Sequence, residues 1–196
     1  MDLGLPSGTL WATMNVGASK PSGAGLYFQW GDTIGYASSQ IGKGSGQKAF
    51  TFKDYKFNPS GDGKTFTKYA NKGATLELED DAANASMGGS WHMPTPNQIW
   101  ELLDNTITSW ETLDGMNGFN FTSNKDTSKS IFIPAAGYAY NGSVGDSGRS
   151  GCVWSSTLLL DDVKYGCYLD FYSSDAASLN SIGERGLGLS VRGVIG

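Results

Sequence analysis

Tyr165-Gly166-Cys167-Tyr168-Leu169-Asp170-Phe171-Tyr172 is aromatic-rich and alternates in character, the period of a β-strand. Strand side chains point to alternate faces, so Leu169 and Phe171 are expected to meet a core and Tyr168, Asp170 and Tyr172 to face the other way. Tyrosines shown to solvent beside small polar residues suit a recognition surface, because Tyr offers large contact area at low entropic cost.

Two phrases bracket this run: Trp154-Ser155-Ser156-Thr157 before it and Gly188-Leu189-Ser190-Val191-Arg192 after it. Leu158, Leu159 and Leu160 precede Asp161-Asp162, which reads as a turn. Leucines exposed there would form an apolar patch, and such patches mark contact with a partner. For any one of them, continuation of the buried strand begun at Val153 is the alternative. Loop residues from Leu179 to Ile182 are expected to join Leu158 to Leu160 and the β-face tyrosines in one surface.

The 196 residues fit one large domain and can bury a real core. There are 28 glycines, a high share, while charged residues make up 17%, below the usual ~25%. The chain is therefore expected to be rich in turns. Aromatic residues at 12% argue against disorder. A net charge of −5 without a basic stripe disfavours nucleic acid as a partner. No apolar run approaches the ~18 residues of a membrane span. Met1-Asp2 is not followed by a basic and apolar leader, so no signal peptide is expected in this chain. Cys152 and Cys167 make no disulfide framework, and whether they pair is left open.

Elsewhere, Leu10–Ala12 and Leu26–Trp30 read as short strands. Residues 34–73 read as a glycine-broken insertion lying over the body, with strand hints at Phe50-Thr51-Phe52 and Phe66-Thr67. Leu76–Met87 reads as a helix whose first turns carry Glu77, Glu79, Asp80 and Asp81, where negative charge suits the helix dipole. Thr95 is expected to cap a second helix over Thr95–Leu103, with Pro96 at its first position and Gln98 completing a capping box. Phe119–Phe121, Ser130–Ile133 and Cys152–Trp154 read as strands, Thr106–Asn117 as a segment that turns back, and Asn141–Gly151 as a loop.

Catalytic groupings are scarce. His92 is the one histidine and reads as structural. Gly145-Asp146-Ser147-Gly148 is a broken nucleophile elbow, and no phosphate-binding loop occurs. Neither the acidic pairs nor the two cysteines form a complete metal-ligand set. No catalytic residue, metal or cofactor is expected, and a binding domain is favoured over an enzyme.

Several phrases together resemble a known family: Asp2 to Ala12, Tyr27-Phe28-Gln29-Trp30-Gly31-Asp32, Asp80-Asp81-Ala82-Ala83, Gly88 to Thr95, Ile133-Pro134-Ala135-Ala136-Gly137-Tyr138, and the two bracketing phrases. As a set they resemble a C-type-lectin-fold domain of the Fibrobacter major paralogous domain type, found in surface and phage proteins of gut anaerobes. The resemblance spans nearly the whole chain, 1–196, with 34–73 as an insertion. It implies an α+β C-type lectin fold like that of the formylglycine-generating enzyme, with two helices flanking short antiparallel sheets. It also implies burial of Trp11, Trp30, Trp91 and Trp154.

Members of that family serve as variable proteins of diversity-generating retroelements, whose ligand-binding codons are mutated at adenines. From asparagine codons, such sites reach only residues encoded by codons ending in a pyrimidine. Leu158, Leu159, Leu160, Tyr168, Asp170, Tyr172, Ser178, Leu179, Asn180, Ile182 and Leu187 all obey that restriction, and Gln, Met and Trp are absent between Thr157 and Leu187. Lys164 and Glu184 do not obey it. The resemblance thus implies a variable ligand-binding region over 154–192, on a cell or virion surface, with a protein or glycan ligand on another cell. The alternative is a structural or adhesin module without diversification, whose strand face packs on a neighbouring domain. His92, Leu189 and Gly193 depart from the family pattern, which usually has Arg, Phe and Pro there. The enzyme's close cysteine pair and the calcium motifs of animal lectins are missing, so neither activity is carried over.

Overall fold

A computed structural model of the chain describes residues 1–173 and 175–196, without the side chains at 175, 181 and 182. Twelve strands run along the described residues: β1 (Leu10–Trp11), β2 (Tyr27–Phe28), β3 (Thr106–Leu113), β4 (Met116–Ser123), β5 (Ser130–Pro134), β6 (Tyr138–Tyr140), β7 (Ser143–Gly145), β8 (Ser150–Leu158), β9 (Tyr165–Tyr172), β10 (Asp175–Glu184), β11 (Leu189–Ser190) and β12 (Val194–Ile195). The two α-helices are α1 (Ala82–Met87) and α2 (Pro96–Asp104).

The largest sheet has the order β10-β9-β8-β11-β2. Its pairs are antiparallel except β11 with β8, which meet in parallel at Ser190 and Val153. The alternating run forms β9, and its register is the expected one: Leu169 and Phe171 are buried, and the residues between them face the other way. On the buried side, Val153, Leu169 and Phe171 pack against Phe119, Phe121, Ile131 and Ile133 of the β3-β4-β5 sheet and Ile99 and Leu102 of α2. Phe171 stacks at 5.0 Å on Phe119 and covers Gly151, its cross-strand partner, where any side chain would collide with the ring.

A second core forms around Trp30 and Trp154, both fully buried. The Trp154 indole reaches across β9 and β10 because Gly166 and Gly183 face each other beneath it. A Cβ on either would stand 2.9 Å from its ring. The Trp30 and Trp154 indole nitrogens donate to the carbonyls of Ser155 (2.9 Å) and Phe28 (2.8 Å).

Two buried arginines near the C-terminal end of the 154–192 region have no carboxylate partners among the described residues. Arg185 donates to the carbonyls of Lys68, Tyr69 and Val163 and to the Tyr55 hydroxyl, and lies 4.2 Å from the Phe66 ring centre. Arg192 donates to Asn15 Oδ1 and to the carbonyls of Ala12 and Phe132. Burial pushes the Arg192 pKa down to about 9. A guanidinium taken from water is tolerated only where its fork of donors is filled, and both forks bind main-chain oxygens.

Arg185 ties the 34–73 insertion to the sheet. That insertion is anchored by buried Phe50, Tyr55 and Phe57, but in place of the strands hinted at Phe50–Phe52 and Phe66-Thr67 there is a single 3-10 turn at Phe52–Asp54 and irregular chain at Phe66-Thr67. The carboxylate of Asp54 organises that turn by accepting the N–H groups of Ala49, Phe50 and Thr51.

The expected α+β C-type lectin fold with flanking helices is corrected. Strand accounts for 35% of residues and helix for 12%, in several sheets with only two α-helices, so the architecture is mostly β. Residues 76–81 are not α-helical. Asp81 caps α1 through the N–H groups of Ala83 and Asn84, and the acidic residues before it form a separate single turn, Leu78–Asp80. The second helix has the predicted capping box at Thr95 and Gln98. The segment read as turning back is a long hairpin, β3 and β4, closed by Asp114 and Gly115 at positive φ. Residues 179–182, read as loop, lie within β10, and the loop over 141–151 contains β7 and the start of β8. Trp91, expected to be buried, is only half-buried.

Candidate functional site

The sheet end formed by β8, β9 and β10 has two unlike faces, and the candidate residues divide between them. On the outer face, cross-strand pairing aligns Trp154, Tyr168 and Asn180 in one row and Cys152, Asp170 and Ser178 in the next. Tyr172 pairs with Ser150 beyond them. Exposure rises toward the sheet edge. Ser150, Cys152 and Trp154 on β8 are buried, Tyr168, Asp170 and Tyr172 on β9 are half-buried, and on β10 Asn180 is half-buried and Ser178 exposed. The Tyr168 ring stands edge-on to Trp154 at 5.9 Å. Burial, with Asp170 beside it, pushes the Tyr168 hydroxyl well above the usual phenol range, so it remains a neutral donor. Asp170 accepts from Asn180 Nδ2 at 3.3 Å.

The remaining candidates lie elsewhere. Leu158, expected on the surface, ends β8 and is 1% exposed in the second core. Burial wins there because Leu158, paired with Gly166 beyond the register shift in β8, joins Trp30 and Trp154 in the second core. Leu179 lies in β10 opposite Leu169, packed against the first core, and not in a surface loop with the tyrosines. Leu159 is half-buried, and Leu160 is 76% exposed. Leu187 follows β10 in a turn and packs against the second core, as Tyr168 does. The Ile182 side chain lies outside the described residues. The single expected patch is thus divided: Leu179 lies on the face of β10 opposite to Asn180, and Leu159 and Leu160 lie beyond the end of β8.

The second surface includes a cleft of about 590 Å³. Leu158, Leu159, Leu160, Cys167 and Leu179 line one side, and Thr95, Pro96, Asn97 and Trp100 of the α2 end line the other. Trp100 was missed as a site residue. It lies off the Ile99 and Leu102 stripe of α2 and is 49% exposed, a large apolar side chain on a helix face where the core does not need it.

Cys152 and Cys167 sit on neighbouring strands but face opposite sides of the sheet, and both are free thiols. Burial and Asp170 hold the Cys152 thiol far above its usual range, and burial also raises Cys167. Neither is poised as a thiolate nucleophile. Both His92 ring nitrogens face main-chain carbonyls, of Met93 at 2.9 Å and Gly196 at 3.2 Å, as a structural histidine does. Glu77, Glu79 and Asp80 converge closely enough to hold a cation, and the Lys68 ammonium occupies that position at 2.7, 2.7 and 2.6 Å.

Compared with protein-family models, curated proteins and solved structures, the chain matches none of them. Among the described residues, no helix is long and apolar enough to cross a membrane.

Proposed function

We propose that the chain is a non-enzymatic binding domain, a variable protein of a diversity-generating retroelement, which takes a protein or glycan ligand of another cell on the outer face of β8, β9 and β10. The separation of roles along β9 carries this reading. Leu169 and Phe171 hold the core, while Tyr168, Asp170 and Tyr172 stand on the other face beside Ser178 and Asn180. Strand β9 is paired on both sides, so its main chain is held by β8 and β10 whatever those outer side chains become. The same five residues obey the pyrimidine-ending codon restriction. Leu158 and Leu179 obey it too but pack against the second and first cores, so the variable set narrows to these five, with Leu159 and Leu160 on a separate rim. Such a domain would work on a cell or virion surface.

A displayed library tests this. Tyr168, Asp170, Tyr172, Ser178 and Asn180 are randomised together with codons ending in a pyrimidine, and the library is selected against lysozyme. A tolerant binding face keeps most members protease-resistant and yields binders that differ at those positions. General loss of protease resistance, or no binders from a folded library, would reject the reading.

A further inference from the structure

The cleft between the β8–β9 turn and the start of α2 is separate from the outer face, and no part of the proposed function uses it. Its walls are apolar: Leu159, Leu160, Leu179 and Cys167 face Pro96 and Trp100. Threonines and Asn97 rim it, and its one charged lining residue is Asp161. Among the described residues, the Asp161 carboxylate has no ion-pair or hydrogen-bond partner. Pro96 has no N–H, and the Thr95 and Gln98 N–H groups are spent on each other's side chains. The electrostatics of the cleft therefore favour a cation beside an apolar body.

The exposed rim argues for a large occupant. Leu160 and Trp100 are 76% and 49% exposed on opposite walls. A small ligand in an open trough leaves such a rim wet, whereas binding sites for small molecules enclose most of their ligand. A second copy of this chain is disfavoured, because each copy carries −5 and would bring its own Asp161 to the contact.

We propose that this cleft docks a segment of a partner protein that presents a bulky apolar side chain next to Lys or Arg. The apolar side chain fills the space between Trp100 and Leu159, and the basic one pairs with Asp161.

The test uses blocked tetrapeptides as probes, titrated into the isotopically labelled whole chain and followed by amide chemical shifts. Acetyl-Ser-Trp-Lys-Ser-amide should give saturable shifts at Asn97–Glu101 and Thr157–Asp161. Acetyl-Ser-Trp-Glu-Ser-amide should bind about two- to fivefold more weakly, the scale of an exposed ion pair, and Asp161→Asn should remove that difference. Acetyl-Ser-Ala-Lys-Ser-amide should not saturate, and Leu160→Ser should weaken the Trp-Lys peptide while leaving the remaining spectrum intact. Absence of saturation by any peptide would overturn the proposal. So would equal binding of the Trp-Lys and Trp-Glu peptides, shifts confined to β9 and β10 outer-face residues, or self-association abolished by Leu160→Ser. Failure of the outer-face library leaves these outcomes unaffected, since they read different residues.

Discussion

Phe171→Ala and Tyr172→Ala change neighbouring residues of one strand, and they should have very different costs. Phe171 is 1% exposed and touches three other aromatic rings, at 5.0 Å for Phe119, 6.3 Å for Phe121 and 6.4 Å for Trp110. Its removal opens a cavity whose floor is the bare backbone of Gly151, which has no side chain to move into the space. Truncating a core Phe costs about 3–5 kcal/mol, and poor collapse places this site in the upper half of that range. For a domain of this size the melting temperature should fall by roughly 10 °C or more. Tyr172 is half-buried on the outer face, and Tyr172→Ala should cost less than about 1 kcal/mol. Tyr168→Ala should lie between them, at about 1–2 kcal/mol, because its ring leans on Trp154. Urea unfolding followed by tryptophan fluorescence, with m-values compared across variants, measures all three. A Phe171→Ala cost below about 1 kcal/mol together with a Tyr172→Ala cost above about 3 kcal/mol would mean that the faces are inverted, and the binding surface with them.

Three further outcomes are expected. Burial tends to raise the Asp54 pKa, but the N–H groups of Thr51 and Phe50 and the Lys48 ammonium pull it below the usual carboxylate value. A carboxylate with a lowered folded pKa contributes stability above its unfolded pKa and loses it as pH falls through the folded one. Acid titration of stability should therefore be shallower in Asp54→Asn than in the parent, and an unchanged acid slope would argue against this role. Arg185→Met should destabilise by about 3–5 kcal/mol, since it leaves buried carbonyls and the Tyr55 hydroxyl unpaired, and should raise protease cutting within 50–70 before the rest of the chain. With Lys68 seated among Glu77, Glu79 and Asp80, a chelator should not lower the melting temperature, whereas a drop reversed by calcium would show that a cation displaces the ammonium.

The face assignment of β9 was legible because burial on one side only forces a period of two, and the cap of α2 because Thr95, Pro96 and Gln98 are a local signal. The mostly β architecture was less so. The hairpin of β3 and β4 was hidden by Ile107, which is 64% exposed on the outer side of its strand and blurs the alternation. The Asp114-Gly115 pair was the available clue, as Asp-Gly between two extended runs marks a tight hairpin. Strand β10 is mostly small and polar in sequence and has register shifts near both ends, so its pattern carries little period. The first helix was overextended because acidic residues read as a helix start serve instead as partners of Lys56 and Lys68, which are distant in sequence. The same limit split the binding patch. Whether Leu158 and Leu179 face in or out depends on cross-strand partners that no local pattern names. Trp100 could have been found by placing α2 on a helical wheel, where it falls outside the buried stripe.

Sequencing the DNA on either side of the coding region measures most directly whether this surface is a diversified one. A near-copy of the segment encoding Trp154 to Arg192 is expected beside a reverse transcriptase gene. It should differ at template adenines, in the codons of Tyr168, Asp170, Tyr172, Ser178 and Asn180. Flanks with neither a copy nor a reverse transcriptase, or differences falling instead on the codons of Gly166, Leu169, Phe171 and Gly183, would contradict it.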